Sequence, residues 1–172
     1  DRAERFRQKK SDIIKVLSNS IDRCNKKIAI QQDTLREVAD REKLKLYGEL
    51  ITANIYSIPE NAKSVSLQNY YSEKGEYLEI PLDENLTPQQ NAQKYYRQYA
   101  KAKSTYSNTI RQLEESMREL EYLESVLQAL ENCSSAQEID EIRQELAEQG
   151  YMASSKRGGL KRKDAPTSPM HV

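Results

Sequence analysis

Five cations, Lys94, Arg97, Lys101, Lys103 and Arg111, fall within residues 87–111 with no carboxylate among them. Tyr95, Tyr96, Tyr99 and Tyr106 interleave with them. Cations recurring about once per helical turn, without acids to neutralise them, make a stripe suited to phosphate contacts. A solvated basic helix face would show the same composition. Tyr95, Tyr99 and Tyr106 repeat at the spacing of an apolar seam and read as core, whereas Tyr96 lies off that seam and is free to meet a ligand. The candidate RNA-contacting set is therefore Lys94, Tyr96, Arg97, Lys101, Lys103 and Arg111.

Other chemistry is scarce. Glu114/Glu115 and Glu119/Glu121 resemble paired carboxylates, but beside neighbouring cations on a polar helix they read as solvated surface. The one histidine is His171, and Cys24 and Cys133 have no Cys-x-x-Cys spacing, so no zinc set is expected. No glycine-rich phosphate loop, Ser/His/Asp set or Cys/His set is present. The expectation is a non-catalytic segment with no cofactor and no metal. Two cysteines do not form a disulfide framework, and Cys24 and Cys133 are expected to stay unbonded to one another.

The elements that must hold the basic stripe follow from the helix breakers. Neither Gly nor Pro occurs in residues 1–47 or 89–149, which reads as helix in both stretches. In the first, Ile13, Leu17, Ile21, Cys24, Ile28, Gln31, Leu35 and Val38 follow one another by threes and fours. In the second, Ala92, Tyr95, Tyr99, Ala102, Tyr106, Ile110, Leu113, Met117, Leu120, Leu123, Leu127 and Leu130 do the same. Thr87, Pro88 and Gln90 predict the start of the second helix through an N-cap, a first-turn proline and a capping box. Ser135 and Glu138 predict another capping box, Ile139, Ile142 and Leu146 the stripe it serves, and Gly150 its end.

These signals predict a mainly α fold: a long antiparallel coiled-coil hairpin with a small α+β cap at its tip and a short C-terminal helix. The boundaries are 1–43 for the first arm, 44–86 for the tip module, 87–132 for the second arm, 135–149 for the short helix and 150–172 for a basic flexible linker. Residues 1–27 carry nine basic and four acidic side chains, and residues 112–131 carry one basic and six acidic. Folding back would set these opposite charges side by side; a dimer of parallel arms is the alternative. The expected register places Leu35 near Tyr96 and Cys24 near Ser107. In the cap, residues 64–71 and 76–82 read as strands around residues 72–75, with Leu78, Ile80 and Leu82 on one face. The hairpin would rest on the apolar stretch LKLYGELITANIYSI at 44–58 and on the start of the second arm.

Composition agrees with helices that need only a narrow seam. Charged residues make up 31% of the 172, the 27 basic and 27 acidic side chains cancel, and the chain has one Phe and no Trp. No apolar run is long enough to span a membrane, so no membrane insertion is expected. The first residues show no signal-peptide apolar core, and the chain reads as a piece of a longer protein.

The blocks YGELITANIY at 47–56, IPLDENLTPQQNAQKYY at 80–96, YAKAK at 99–103 and EIRQELAEQGY at 141–151 resemble, in order, the middle region of NFACT proteins. That resemblance implies a coiled coil with a tip module, set between an N-terminal domain with a helix-hairpin-helix domain and a later RNA-binding domain. It further implies a cytoplasmic role in ribosome-associated quality control. Such proteins bind stalled large ribosomal subunits through rRNA and a stalk-base protein, and recruit alanyl-tRNA for C-terminal alanine tailing of nascent chains. The tRNA-recognising residues of the family lie in domains absent from this sequence. Part of the family is described instead as fibronectin- or fibrinogen-binding, which gives an adhesin module at the cell surface as the alternative. A passive spacer is the third reading.

Overall fold

Helix-favouring sequence without breakers fills most of the chain, and the computed structural model, which describes residues 1–153, is accordingly mainly helical. Its elements are α1 (Arg2–Glu37), α2 (Arg41–Ala53), β1 (Ser64–Gln68), β2 (Tyr77–Pro81), α3 (Pro88–Glu131) and α4 (Ala136–Glu148). Of the basic flexible linker expected at 150–172, residues 154–172 lie outside the described residues, whereas Gly150 and Tyr151 are not linker but the ordered C-terminal turn of α4, with Tyr151 bonded to Glu119. The chain divides into two units, one of Asp1–Ile30 with the chain from Glu114 onward, the other Gln31–Leu113.

In the first unit, Ile13, Leu17, Ser20, Cys24 and Ile28 form the buried stripe of α1. Ser116, Leu123, Val126 and Leu130 of α3 are buried, as are Ile139 and Leu146 of α4. The Cys24 thiol donates to the carbonyl of Ser116 at 3.2 Å, and Lys27 pairs with Glu119 at 3.0 Å. Lys10 donates to the carbonyls of Glu131 and Cys133 at 3.2 and 3.3 Å, placing a cation on the negative end of α3. Rising positions on α1 thus meet falling positions on α3, the expected antiparallel sense. The register differs: Cys24 faces Ser116, nine residues beyond the expected Ser107. Two details of the seam also differ. It passes through the small polar residues Ser20 and Ser116, both 3% exposed, while Met117 beside it is 50% exposed. Both cysteines are free thiols.

Local hydrogen bonding sets the ends of α4. Ser135 accepts from the Glu138 amide and the Glu138 side chain reaches back to the Ser135 amide, the expected capping box. At the other end Gly150 takes φ 88°, the Tyr151 amide reaches the Leu146 carbonyl, and the Gly150 amide reaches that of Ala147. This is a Schellman motif, and it directs Tyr151 back onto α3. The Tyr151 hydroxyl donates to Glu119 at 2.6 Å, its ring stacks on Tyr122 at 6.3 Å, and Tyr122 donates to Glu145 at 2.5 Å.

This latch is pH-sensitive with a definite sign. Burial, the Glu145 hydrogen bond and its charge push the Tyr122 phenol up to about 12 from an ordinary 10.0, and burial with Glu119 raises Tyr151 likewise. Burial of Glu119 raises its carboxyl, but the bonds from Tyr151 and Lys27 outweigh this and hold it below the ordinary 4.5. Tyr122 therefore contributes stability that is complete below about pH 10 and is lost toward about 12, and Tyr151 contributes in the same direction; Glu119 contributes above its ordinary value and loses this as pH falls. The protection of α4 amides relative to their base-catalysed intrinsic exchange is expected to fall between those alkaline limits, and Y122F is expected to blunt the fall.

In the second unit, α1 stops at Glu37 although no Gly or Pro is near. Residues 38–40 form a turn with tight bonds from the Ala39 amide to Arg36 and from the Arg41 amide to Val38. The Arg41 side chain also donates to the Val38 carbonyl at 3.2 Å, and its guanidinium lies 3.7 Å from the centre of the Tyr106 ring. After this break α2 runs beside the start of α3: Tyr47 meets Tyr95 edge to face at 5.3 Å, and Gly48 lies against Tyr96. Tyr96 therefore opposes Gly48 rather than the expected Leu35. The boundary expected after residue 43 assigns most of α2 to the cap, and the expected register turns the chain back too early.

The hairpin pairs Ser64 with Pro81 through to Gln68 with Tyr77. It closes through Gly75 at φ 56°, whose carbonyl accepts from the Gln68 side chain at 3.1 Å. A two-stranded sheet has too little buried surface to stand alone in water. Leu67 and Ile80 join Leu50, Ile51, Ile58 and Ala92 in one core cluster, with Leu78 and Leu82 packed against it. The small helix-plus-hairpin module is thus present as expected.

Candidate nucleic-acid interface

Residues 88–113 of α3 begin on a firm base. The Gln90 amide donates to the Thr87 hydroxyl at 3.1 Å and the Thr87 amide to the Gln90 side chain at 3.0 Å, with Pro88 opening the helix. Asn91, 3% exposed, ties the preceding loop to this turn. Its carbonyl accepts from the Asp83 amide, and its amide group serves the carbonyls of Asp83, Leu86 and Thr87.

The tyrosines expected in the seam turn inward. Tyr95 donates to the Pro81 carbonyl at 2.5 Å, and burial, then Tyr47, raises its pKa. Tyr99 donates to Glu42 at 3.3 Å, and Tyr106 lies under Arg41. Tyr96 is shared between roles: it is 37% exposed, while its ring covers Gly48 so closely that a Cβ there would stand 2.9 Å from it.

The five cations have different surroundings. Lys94 is half-buried and sits 3.7 Å from Asp83. Lys103 rests 5.9 Å from the Tyr99 ring, and Arg111 donates to Asn108 at 2.7 Å. Arg97 and Lys101 are exposed, and among the described residues neither side chain has a hydrogen-bond or ion-pair partner. Residues four apart on a helix lie on one face, about 5–6 Å between Cβ atoms. Arg97 and Lys101 thus offer two adjacent free charges to solvent.

The structure adds Lys45 of α2, a cation that the sequence pattern does not single out. Its ammonium stands 5.9 Å from the same Tyr99 ring that Lys103 approaches, so cations from two helices share one surface. The signal that could have found it is the seam itself, which continues past the break at 38–40 into α2. Glu42 brings a carboxylate to the same ring, accepting from the Tyr99 hydroxyl. Among the described residues no group of three metal-ligating side chains converges, and no helix is long and apolar enough to cross a membrane. The arrangement can hold phosphates by charge and guanidinium hydrogen bonds.

The family model for NFACT N-terminal and middle domains matches residues 1–165. The Rqc2 homolog RqcH of Streptococcus suis is 38% identical over 168 residues, covering 96% of this chain. The chain belongs to the NFACT family. Another NFACT relative, the Rqc2 homolog RqcH of Bacillus subtilis, is 34% identical over 167 residues and covers 97% of the chain. The match occupies 30% and 29% of the lengths of these two relatives. Among solved structures, the C-terminal part of the fibronectin/fibrinogen-binding protein from Streptococcus suis superposes with a TM-score of 0.58 at 27% identity. It covers 86% of this chain and 45% of that one. The NFACT assignment accords with the blocks at 47–56, 80–96 and 141–151.

Proposed function

We propose that this segment is a non-catalytic ribosome-binding arm of a cytoplasmic ribosome-associated quality control factor, and that Arg97 and Lys101 contact rRNA phosphates of the large subunit. The observation that carries the reading is the pair of exposed, unpartnered cations on a stretch of α3 without acids. Lys45, Lys94, Lys103 and Arg111 extend the charge around them, and Tyr96 supplies a partly exposed ring. NFACT membership supports the ribosome as the source of the phosphate. Binding of stalk-base protein, recruitment of alanyl-tRNA and alanine tailing belong, in this reading, to the assembly of which the segment is a part.

The test is co-sedimentation of R97E/K101E with large ribosomal subunits across a salt series. Helicity should hold and stability should move by no more than about 0.5 kcal/mol per site, since both positions are exposed. Binding should fall, and its logarithmic salt slope should shrink by roughly one unit for each phosphate that is no longer neutralised, about two in all. Unchanged binding and slope would remove the stripe from the interface. Fibronectin or fibrinogen binding is the second reading, supported by the description of the similar Streptococcus suis structure. Retained subunit binding together with abolished fibronectin binding would favour it.

A further inference from the structure

We propose that the pocket between the first turns of α1 and the start of α4 docks an acidic peptide segment carrying an apolar anchor, an interaction separate from the phosphate-facing role of α3. The pocket has a volume of about 450 Å³, within the range of about 300–1,000 Å³ that small ligand sites occupy. Ala3, Phe6 and Ala136 supply apolar walls above the buried Ile139, and Arg2, Arg5 and Lys9 stand around them. Ile139 is wholly buried and Phe6 half-buried, so the walls belong to the folded first unit.

The charges define the occupant. Lys9 already faces Asp140 at 3.5 Å. Arg2 and Arg5 are exposed, and among the described residues their guanidinium groups have no hydrogen-bond or ion-pair partner. Asp1 is occupied in capping, accepting from the Ala3 amide at 2.9 Å, and Glu4 does not line the pocket. An apolar recess with two free guanidinium groups beside it complements a leucine- or phenylalanine-like side chain flanked by carboxylates. Nucleic acid fits less well, because its phosphates would meet the cations but leave the apolar walls unfilled. Residues 154–172, with Lys156, Arg157, Lys161, Arg162 and Lys163 against Asp164 as their one acidic side chain, do not have the chemistry of this occupant.

The experiment is fluorescence anisotropy with a labelled helical peptide that bears leucines one turn apart with glutamates beside them. The control is the same peptide with glutamines in place of glutamates. The native 172-residue chain should bind the acidic peptide saturably, and the control at least about tenfold more weakly, as removal of one charge-assisted hydrogen bond implies. R2E/R5E should weaken binding by at least the same factor. A136W, which fills the recess and leaves the cations in place, should weaken it too, with the helical circular dichroism of both variants unchanged. The proposal is overturned by absence of saturable binding to the native chain, by equal affinity for the control, or by native affinity in either variant. Displacement of the probe by a single-stranded oligonucleotide at comparable concentration would also overturn it, assigning the cations to phosphate instead.

Discussion

Replacing Leu50 by Ala is expected to destabilise the second unit by about 2–5 kcal/mol, the usual cost of removing a fully buried Leu from a core that relaxes only partly. Leu50 is 0% exposed and belongs to one core cluster with Ile51, Ile58, Leu67, Ile80 and Ala92, so the cavity would open in the cluster that joins α2, both strands and α3. Because the two-stranded sheet depends on this cluster, the damage should appear first as cleavage between Pro59 and Gly75 in limited proteolysis. Urea unfolding followed by circular dichroism would give the magnitude. A native cleavage pattern in L50A would mean that the hairpin is held by something other than this core.

The second large effect is expected from Asn91→Leu. Leucine is near in size to asparagine but forms none of its hydrogen bonds. The Asp83 amide and the carbonyls of Asp83, Leu86 and Thr87 would be deprived of their side-chain partner. The Thr87 carbonyl keeps its bond from the Asn91 amide, so the effect falls chiefly on the loop. A buried polar group left unsatisfied costs about 1–3 kcal/mol, and with several affected the expected destabilisation is about 3 kcal/mol. Amide exchange should rise at Asp83, whereas the Thr87–Gln90 cap should persist. A change of less than about 0.5 kcal/mol, the range of ordinary surface substitutions, would show that water replaces the side chain without penalty.

How much the sequence discloses depends on the range of the interaction. Thr87 with Gln90, Ser135 with Glu138, and Gly150 are read correctly because each signal and its hydrogen-bond partner lie within a few residues. The hairpin is legible for the same reason: alternation at Leu78 and Ile80 and a turn at Gly75 are local. The break at 38–40 is not, since the contact that holds Arg41 comes from Tyr106. The register suffers likewise. Periodicity tells which face of a helix is buried but not how far the helix has slid along its partner, and a break without Gly or Pro puts the expected turn-back too early. Seam positions at Ser20, Thr109 and Ser116 escape an apolar template because small polar side chains fill a close approach as well as Ala does.

The candidate interface divides in the same manner. That residues 87–111 are basic and free of acids is written in the sequence. Which cations remain unpaired is not, because Lys94 meets Asp83 across a helix terminus, and Lys45 joins Lys103 at Tyr99 only after α2 has folded beside α3.

The two thiols differ in access, and this makes the first unit its own reporter. Cys24 is 2% exposed, with its sulfur against the Ser116 carbonyl, whereas Cys133 is partly open at the end of α3. A maleimide therefore meets one thiol on the folded chain and the other only after α1 and α3 part. The lag between the first and second mass increments is a clock for that separation, readable in the natural sequence without an introduced label site.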